Sequence, residues 1–247
     1  MLSDGGSVRR WGLGVGLSLA LLAAAIDARA GRVRGVLAGY QFLLNPVWEE
    51  AKDAEKHGFS FREPVPTVRA EFRRLFPHIP KEVCVALLSA APQQPQKPIL
   101  VRVGGGRTTP VTIVVTPGTQ LQFQNTDPFP HRLYGVGIPT FNAADTVKAG
   151  TRTWAVPAPG TFEIRDEAAP SLRMWVIAEP NLVAIAYPSM KGEFALNAEA
   201  PGEYKVQAFF AGKKVGPEVP VKVGNADVDL SKAPIKVGQE NKAEKAN

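Results

Sequence analysis

Few side chains in this 247-residue sequence are of types and spacings that could do chemistry, and they gather in two short stretches. Asn125-Thr126-Asp127-Pro128-Phe129-Pro130-His131 ends in an imidazole four residues after a carboxylate, and Asp166-Glu167 supply two more carboxylates further on. Imidazole nitrogen and carboxylate oxygen together can hold Zn or Cu(II). His131 and Asp166, with Asp127 or Glu167, could act as metal ligands if the fold brings them together. One imidazole among carboxylates falls short of a closed zinc site, which takes four ligands drawn mainly from His and Cys. The competing reading makes His131 a loop residue whose hydrogen bonds preserve local shape.

The remaining reactive groups read as structural, and no catalytic residue is assigned. Cys84 lies in the apolar run Lys81 to Ser89 (KEVCVALLS), where a lone thiol is a small core filler, and no Cys-His-Asn pattern accompanies it. Gly104-Gly105-Gly106 is followed by no Lys-Ser/Thr and sits between strand-like runs, so it is a turn and not a phosphate loop. Asp166 and Glu167 are adjacent, which in a strand points them to opposite faces. Ser171 and Ser189 have no His and Asp in a recognised context. His57 falls at a helix end and His78 between prolines. The expectation is a protein that is not an enzyme.

The elements that must position these residues are mostly strands. Twenty-three Gly and 22 Pro punctuate short runs rich in Val, Ile, Thr and Phe, and 45% hydrophobic content suffices for ordinary cores. The charge of +6 is spread without a Lys/Arg block, which excludes an evident nucleic-acid site. A single Cys excludes an intrachain disulfide. Arg32 to Ala38 is a first strand. Asn45-Pro46 opens a short helix stopped by Gly58, and Thr67 opens a second ended by Pro77, giving a two-helix excursion near residues 45–76. Val83 to Leu88 is a buried strand. Residues 90–98 form a Pro/Gln linker, followed by ILVRV and by VTIVV, in which Val111, Ile113 and Val115 face one way.

Residues 1–30 have the form of an export signal: Arg9-Arg10, a 16-residue apolar run from Trp11 to Ile26, then Ala28-Arg29-Ala30 as a small-x-small cleavage site before Gly31. The run is shorter than the ~20 residues that span a bilayer, so cleavage leaves no membrane span. Val8 stands where a twin-arginine signal has Ser or Thr, and the choice of export route stays open. The location implied is periplasmic or secreted, in a bacterium.

Two resemblances follow. The stretch from Thr116 to Val176, with Asn125-Thr126-Asp127 leading to His131 and Pro159-Gly160-Thr161-Phe162 leading to Asp166, resembles the copper-site half of a cupredoxin, the plastocyanin-like sandwich. By that likeness Asp166 stands at the Cys position, Ala169 at the second His and Leu172 at the Met, so three of four copper ligands are missing. From Val183 to Val223, the runs around Lys191-Gly192 and Pro201-Gly202-Glu203-Tyr204 resemble the carboxypeptidase regulatory-like, or prealbumin-like, sandwich. The pairing of the two is similar to that of exported proteins labelled methylamine-utilisation proteins.

The likeness, which covers roughly residues 80–223 and not the helical stretch, implies an all-β fold of two Greek-key-type sandwiches; with the residue-level readings the order is a signal peptide at 1–30, first prealbumin-like strands and short helices at 31–96, a cupredoxin-like domain at 97–179, the rest of the prealbumin-like sandwich at 180–223, and a polar, Lys-rich flexible tail at 224–247. It also implies that no cofactor is held, copper being the alternative. The partner would be a protein or glycan of the cell envelope. Phe129, Phe141, Leu172 and Met174, rimmed by Arg132, Arg165 and Arg173, would either form a docking patch or close the top of the sandwich.

Overall fold

The computed structural model describes residues 31–46 and 77–239. The export signal, nearly all of the two-helix excursion and the last eight residues lie outside the described residues. Within them the chain is all-β, with a single-turn helix α1 (Ile79–Glu82) and a 3-10 turn at Tyr40–Phe42.

Sequence order and spatial order separate at once. β1 (Arg32–Ala38) and β2 (Val83–Leu88) come early, yet they pair with strands from the last third of the chain: β2 with β11 (Leu182–Ala186) and β13 (Gly202–Phe210), β1 with β12 (Glu193–Asn197), and β14 (Lys213–Val223) follows on the far side of β13. One sheet runs β12-β1, with two short strands, β15 (Val228–Asp229) and β16 (Ile235–Lys236), along the other edge of β1. The facing sheet runs β11-β2-β13-β14. Alternation explains the layers: Val33 and Leu37 of β1 and Phe194 and Leu196 of β12 turn inward, onto Val83, Val85, Leu87, Val206 and Val221.

Between β2 and β11 the chain builds a second sandwich. β3 (Ile99–Gly104), β4 (Arg107–Thr109), β6 (Gln120–Asn125) and β8 (Thr151–Ala155) form a sheet in the order β4-β3-β6-β8. Against it lie β5 (Thr112–Val115), β7 (Leu133–Gly135), β9 (Gly160–Asp166) and β10 (Arg173–Ala178), in the order β5-β10-β9-β7. The β3–β6 and β5–β10 pairs are parallel, and the other pairs of these two sheets antiparallel. β6 reads QLQFQN and points Leu121 and Phe123 inward and its glutamines outward, the alternation of a half-buried strand.

The sandwiches share a wall. β2 is buried along its whole length because its two faces serve different cores: Val83, Val85 and Leu87 enter the first, while Cys84, Ala86 and Leu88 meet Val114, Ile177, Leu182 and Phe209. β5 is buried on both faces for the same reason, with Ile113 and Val115 in the second core and Val114 at the wall. The expectation that one face of VTIVV points inward is half of the arrangement.

One expected region differs. Residues 224–239, read as part of a flexible tail, are docked: β15 and β16 pair in parallel with β1, and Ile235 and Val237 are buried in the first core. Their apolar residues, though sparse, fall where β1 offers an unpaired edge, and unpaired backbone groups on a sheet edge are satisfied by any strand that reaches them.

Candidate functional site

His131 follows β6 and precedes β7, at one end of the second sandwich. β6 ends in Asn125, whose buried side chain does the work of a turn. Its amide donates to the carbonyl of Phe129 at 2.7 Å and to that of Thr146 at 2.8 Å, and its Oδ1 accepts the Asp127 N–H at 2.8 Å. Asx-type bonding of this kind fixes a loop without help from the sheet ladder. The backbone of His131 then pairs with Thr146, donating at 3.1 Å and accepting at 2.8 Å. Across the sheet, β7 and β9 are antiparallel with Leu133 opposite Asp166, which brings the Asp166 carboxylate to the imidazole.

The imidazole is completely buried and meets a carboxylate on each nitrogen. Nδ1 is hydrogen-bonded to Asp166 Oδ2, and Nε2 lies 3.1 Å from Asp127 Oδ2. The carboxylates are themselves held. Asp166 Oδ1 accepts the N–H groups of Arg132 at 2.9 Å and Ala168 at 2.8 Å, and Asp127 Oδ2 accepts the Gly105 N–H at 2.8 Å. The triple-glycine turn therefore has a task its sequence did not announce.

Copper, the metal the resemblance implies, is tested against this donor set. A type 1 centre takes two imidazoles and a thiolate with a weak axial sulfur. Asp166, which the resemblance aligns with the thiolate, bonds through its oxygen to the ring nitrogen that faces it. Leu172 is buried among apolar side chains. The residues present do not fit that centre. Among the described residues there is no group of three or more His, Cys, Asp or Glu side chains arranged to hold a metal ion. Glu167 is not part of the cluster; it pairs with Arg132 Nε at 2.8 Å on the surface.

Cys84 belongs elsewhere, in the wall between the sandwiches. Burial pushes its thiol up to about 12, and its neighbours there include Val114 and Tyr187. Tyr187, also raised by burial, donates its hydroxyl to the Thr112 carbonyl at 3.1 Å.

The proposed apolar docking patch is absent. Phe129 is 48% exposed, but Phe141, Leu172 and Met174 are at most 1% exposed and belong to the core. Phe141 is drawn in against Phe123 and Trp154, with ring centroids 5.4 and 5.5 Å away. Arg152 of β8 lies over it, 4.1 Å from the ring centroid, and donates to the carbonyls of Leu133 and Asn142, clamping the loop that carries it. The rim arginines are engaged as well: Arg132 with Asp145 and Glu167, and Arg165 and Arg173 with Glu163. Of the two readings, closure of the sandwich is the one observed. Sequence reasoning missed Thr146, Gly105 and Arg152, whose roles depend on loop positions that no local pattern encodes.

No described protein family matches the chain, and no curated protein does. Among solved structures the chain is similar to a purple cupredoxin from Nitrosopumilus maritimus, at 16% identity over 32% of this chain and 98% of that one, with a TM-score of 0.30. It is also similar to amicyanin from Paracoccus versutus, at 15% identity over 38% of this chain and 97% of that one, with a TM-score of 0.31. A copper-containing nitrite reductase from Thermus scotoductus is similar at 16% identity, over 33% of this chain and 22% of that one, with a TM-score of 0.30. The fold described above rests on its own strand pairing. Among the described residues no helix is long and apolar enough to cross a membrane.

Proposed function

We propose that this is an exported, non-catalytic protein that works as a binding or scaffold module of the cell envelope, in periplasmic or secreted form, with a protein or glycan as its partner. In this reading the cupredoxin-like sandwich carries no copper and passes no electrons, and the sandwich of β1, β2 and β11–β16 is its prealbumin-like companion. One observation carries the reading: the single imidazole at the copper end has both nitrogens engaged by backbone-anchored carboxylates, so the pocket is closed by an Asp127–His131–Asp166 bridge. A buried charge-bearing cluster is retained when each member is hydrogen-bonded, and its contribution is to geometry more than to net stability.

The test is metal content and redox response. The protein is dialysed against Cu(II) and then against Zn(II), followed by metal analysis and voltammetry, beside His131→Ala. The expected result is no stoichiometric metal and no reversible wave in either protein. One equivalent bound by the wild type and lost in the variant would replace this reading with that of a metal or electron-transfer protein using His131 and nearby carboxylates.

A further inference from the structure

Outward side chains on two of the sheets are charged and paired. On β13 and β14, Lys205 and Lys214 each meet Glu218 at 3.1 Å, and on β9 and β10, Arg165 and Arg173 each meet Glu163. The sheet β4-β3-β6-β8 differs, for its four strands contain no Asp or Glu. Its inner face gives Val101, Val103, Leu121, Phe123 and Trp154 to the core, which leaves amides and hydroxyls on the opposite face of the pleat. β6 places Gln120, Gln122 and Gln124 there at every second position. Register sets their neighbours: Arg102 of β3 and Thr151 of β8 flank Gln124, while Leu100 and Thr153 flank Gln122. Arg102, Thr151 and Thr153 are exposed, and Gln122 and Gln124 are half-buried between them. Among the described residues, neither Arg102 nor any of the three glutamine side chains has a hydrogen-bonding or charged partner.

A carboxamide and a hydroxyl each donate and accept, and the ring hydroxyls of a sugar chain do the same at every repeat. Neighbouring strands stand about 4.8 Å apart and alternate residues along a strand about 6.8 Å apart, so the rows of Gln122 and Gln124 form a grid on the scale of a sugar ring. The charge in these two rows is Arg102, whose guanidinium takes a carboxylate in two parallel bonds, and no acidic side chain on the four strands repels one. Leu100, 46% exposed on the same face, supplies an apolar contact for the C–H side of a ring. The aromatic residues of these strands, Phe123 and Trp154, point into the core, so the face has no ring on which a nucleic-acid base would stack. We propose, on the premise that the protein is a binding module, that this face is its ligand site and that the ligand is an extended uronic-acid polysaccharide. The chain lies across β3, β6 and β8, with a carboxylate on Arg102 and ring hydroxyls on Gln122 and Gln124.

The test titrates the full chain with alginate oligomers, and with dextran oligomers as the neutral counterpart, at about 0.15 M salt, where loose charge attraction is screened. Affinity is read by calorimetry and location by the side-chain amide signals in proton–nitrogen NMR. The expected result is saturable binding of alginate that moves the Gln122 and Gln124 amide signals. Arg102→Ala weakens it by about tenfold or more and Gln122→Ala by about fivefold. Lys222→Ala, on β14 of the other sandwich, leaves it unchanged. Arg102, Gln122 and Lys222 all lie outside the cores, so folding is checked by circular dichroism alone. Absence of alginate binding, equal affinity for dextran, or an equal loss in Lys222→Ala would each overturn the site. Those outcomes leave the binding role to a protein partner, whereas one equivalent of metal held by His131 would remove that role itself.

Discussion

The imidazole of His131 touches two carboxylates that also accept the N–H groups of Gly105, Arg132 and Ala168, so removing the ring strands the fully buried Asp166 carboxylate without its side-chain partner. Breaking a buried pair costs about 3–5 kcal/mol, because the remaining charge keeps its desolvation without its partner. His131→Ala is expected to fall in that range by urea denaturation, and a change below about 1 kcal/mol would contradict the lock. Both members of the main pair were singled out in the sequence by the cupredoxin resemblance, which implies that Asn125 to His131 and Gly160 to Asp166 lie at one end of a sandwich. Their role was not legible, because a His and an Asp that ligate a metal and a His and an Asp that bond to each other are the same letters. Cys84 makes a second test at this scale. Its folded-state value of about 12 lies above the 9.0 of a free thiol, so ionisation favours the unfolded chain. The stability it contributes is complete below pH 9 and is lost as pH rises towards 12. Native protein is expected to leave a thiol reagent such as Ellman's unreacted at pH 8 and to react once unfolded; Cys84→Ala should flatten the alkaline loss of stability.

Strands were the most readable elements. Arg32–Ala38 is a strand from end to end as its alternation implies, and Val83–Leu88 is the buried strand its unbroken apolar run implies. Why β2 is apolar on both faces was not readable, because the second face is covered by Ile177 and Phe209, distant in sequence. The docked segment after Val223 was misread for a related reason. Val228, Leu230, Ile235 and Val237 are few and lie among Asp, Lys and Asn, a composition that resembles a solvated tail until β1 provides an edge. Truncation after Val223 uncovers that edge and part of the first core. The fall in melting temperature should be several degrees, as about 1 kcal/mol corresponds to roughly 2–4 °C at this size. An unchanged melting temperature would contradict the docking of the segment.

At the scale of the molecule, the inserted sandwich and its host are joined by a dry wall and by the hydrogen bonds of Thr112, which accepts from Tyr187 and from the Ala211 N–H. Neither sandwich can unfold without exposing the other's outer face. Calorimetry is therefore expected to show one cooperative transition, and Ile177→Asp, which puts a charge into the wall, should divide it into two; two transitions in the wild type would contradict the shared wall. The central claim, that the His131 end of the second sandwich is closed by its own carboxylates, is tested most directly at the His131 ring. Proton–nitrogen NMR of its side chain during addition of paramagnetic Cu(II) should leave the ring signals unmoved and sharp. Their selective loss at one equivalent of Cu(II) would show that the ring binds the metal, and the account would fail.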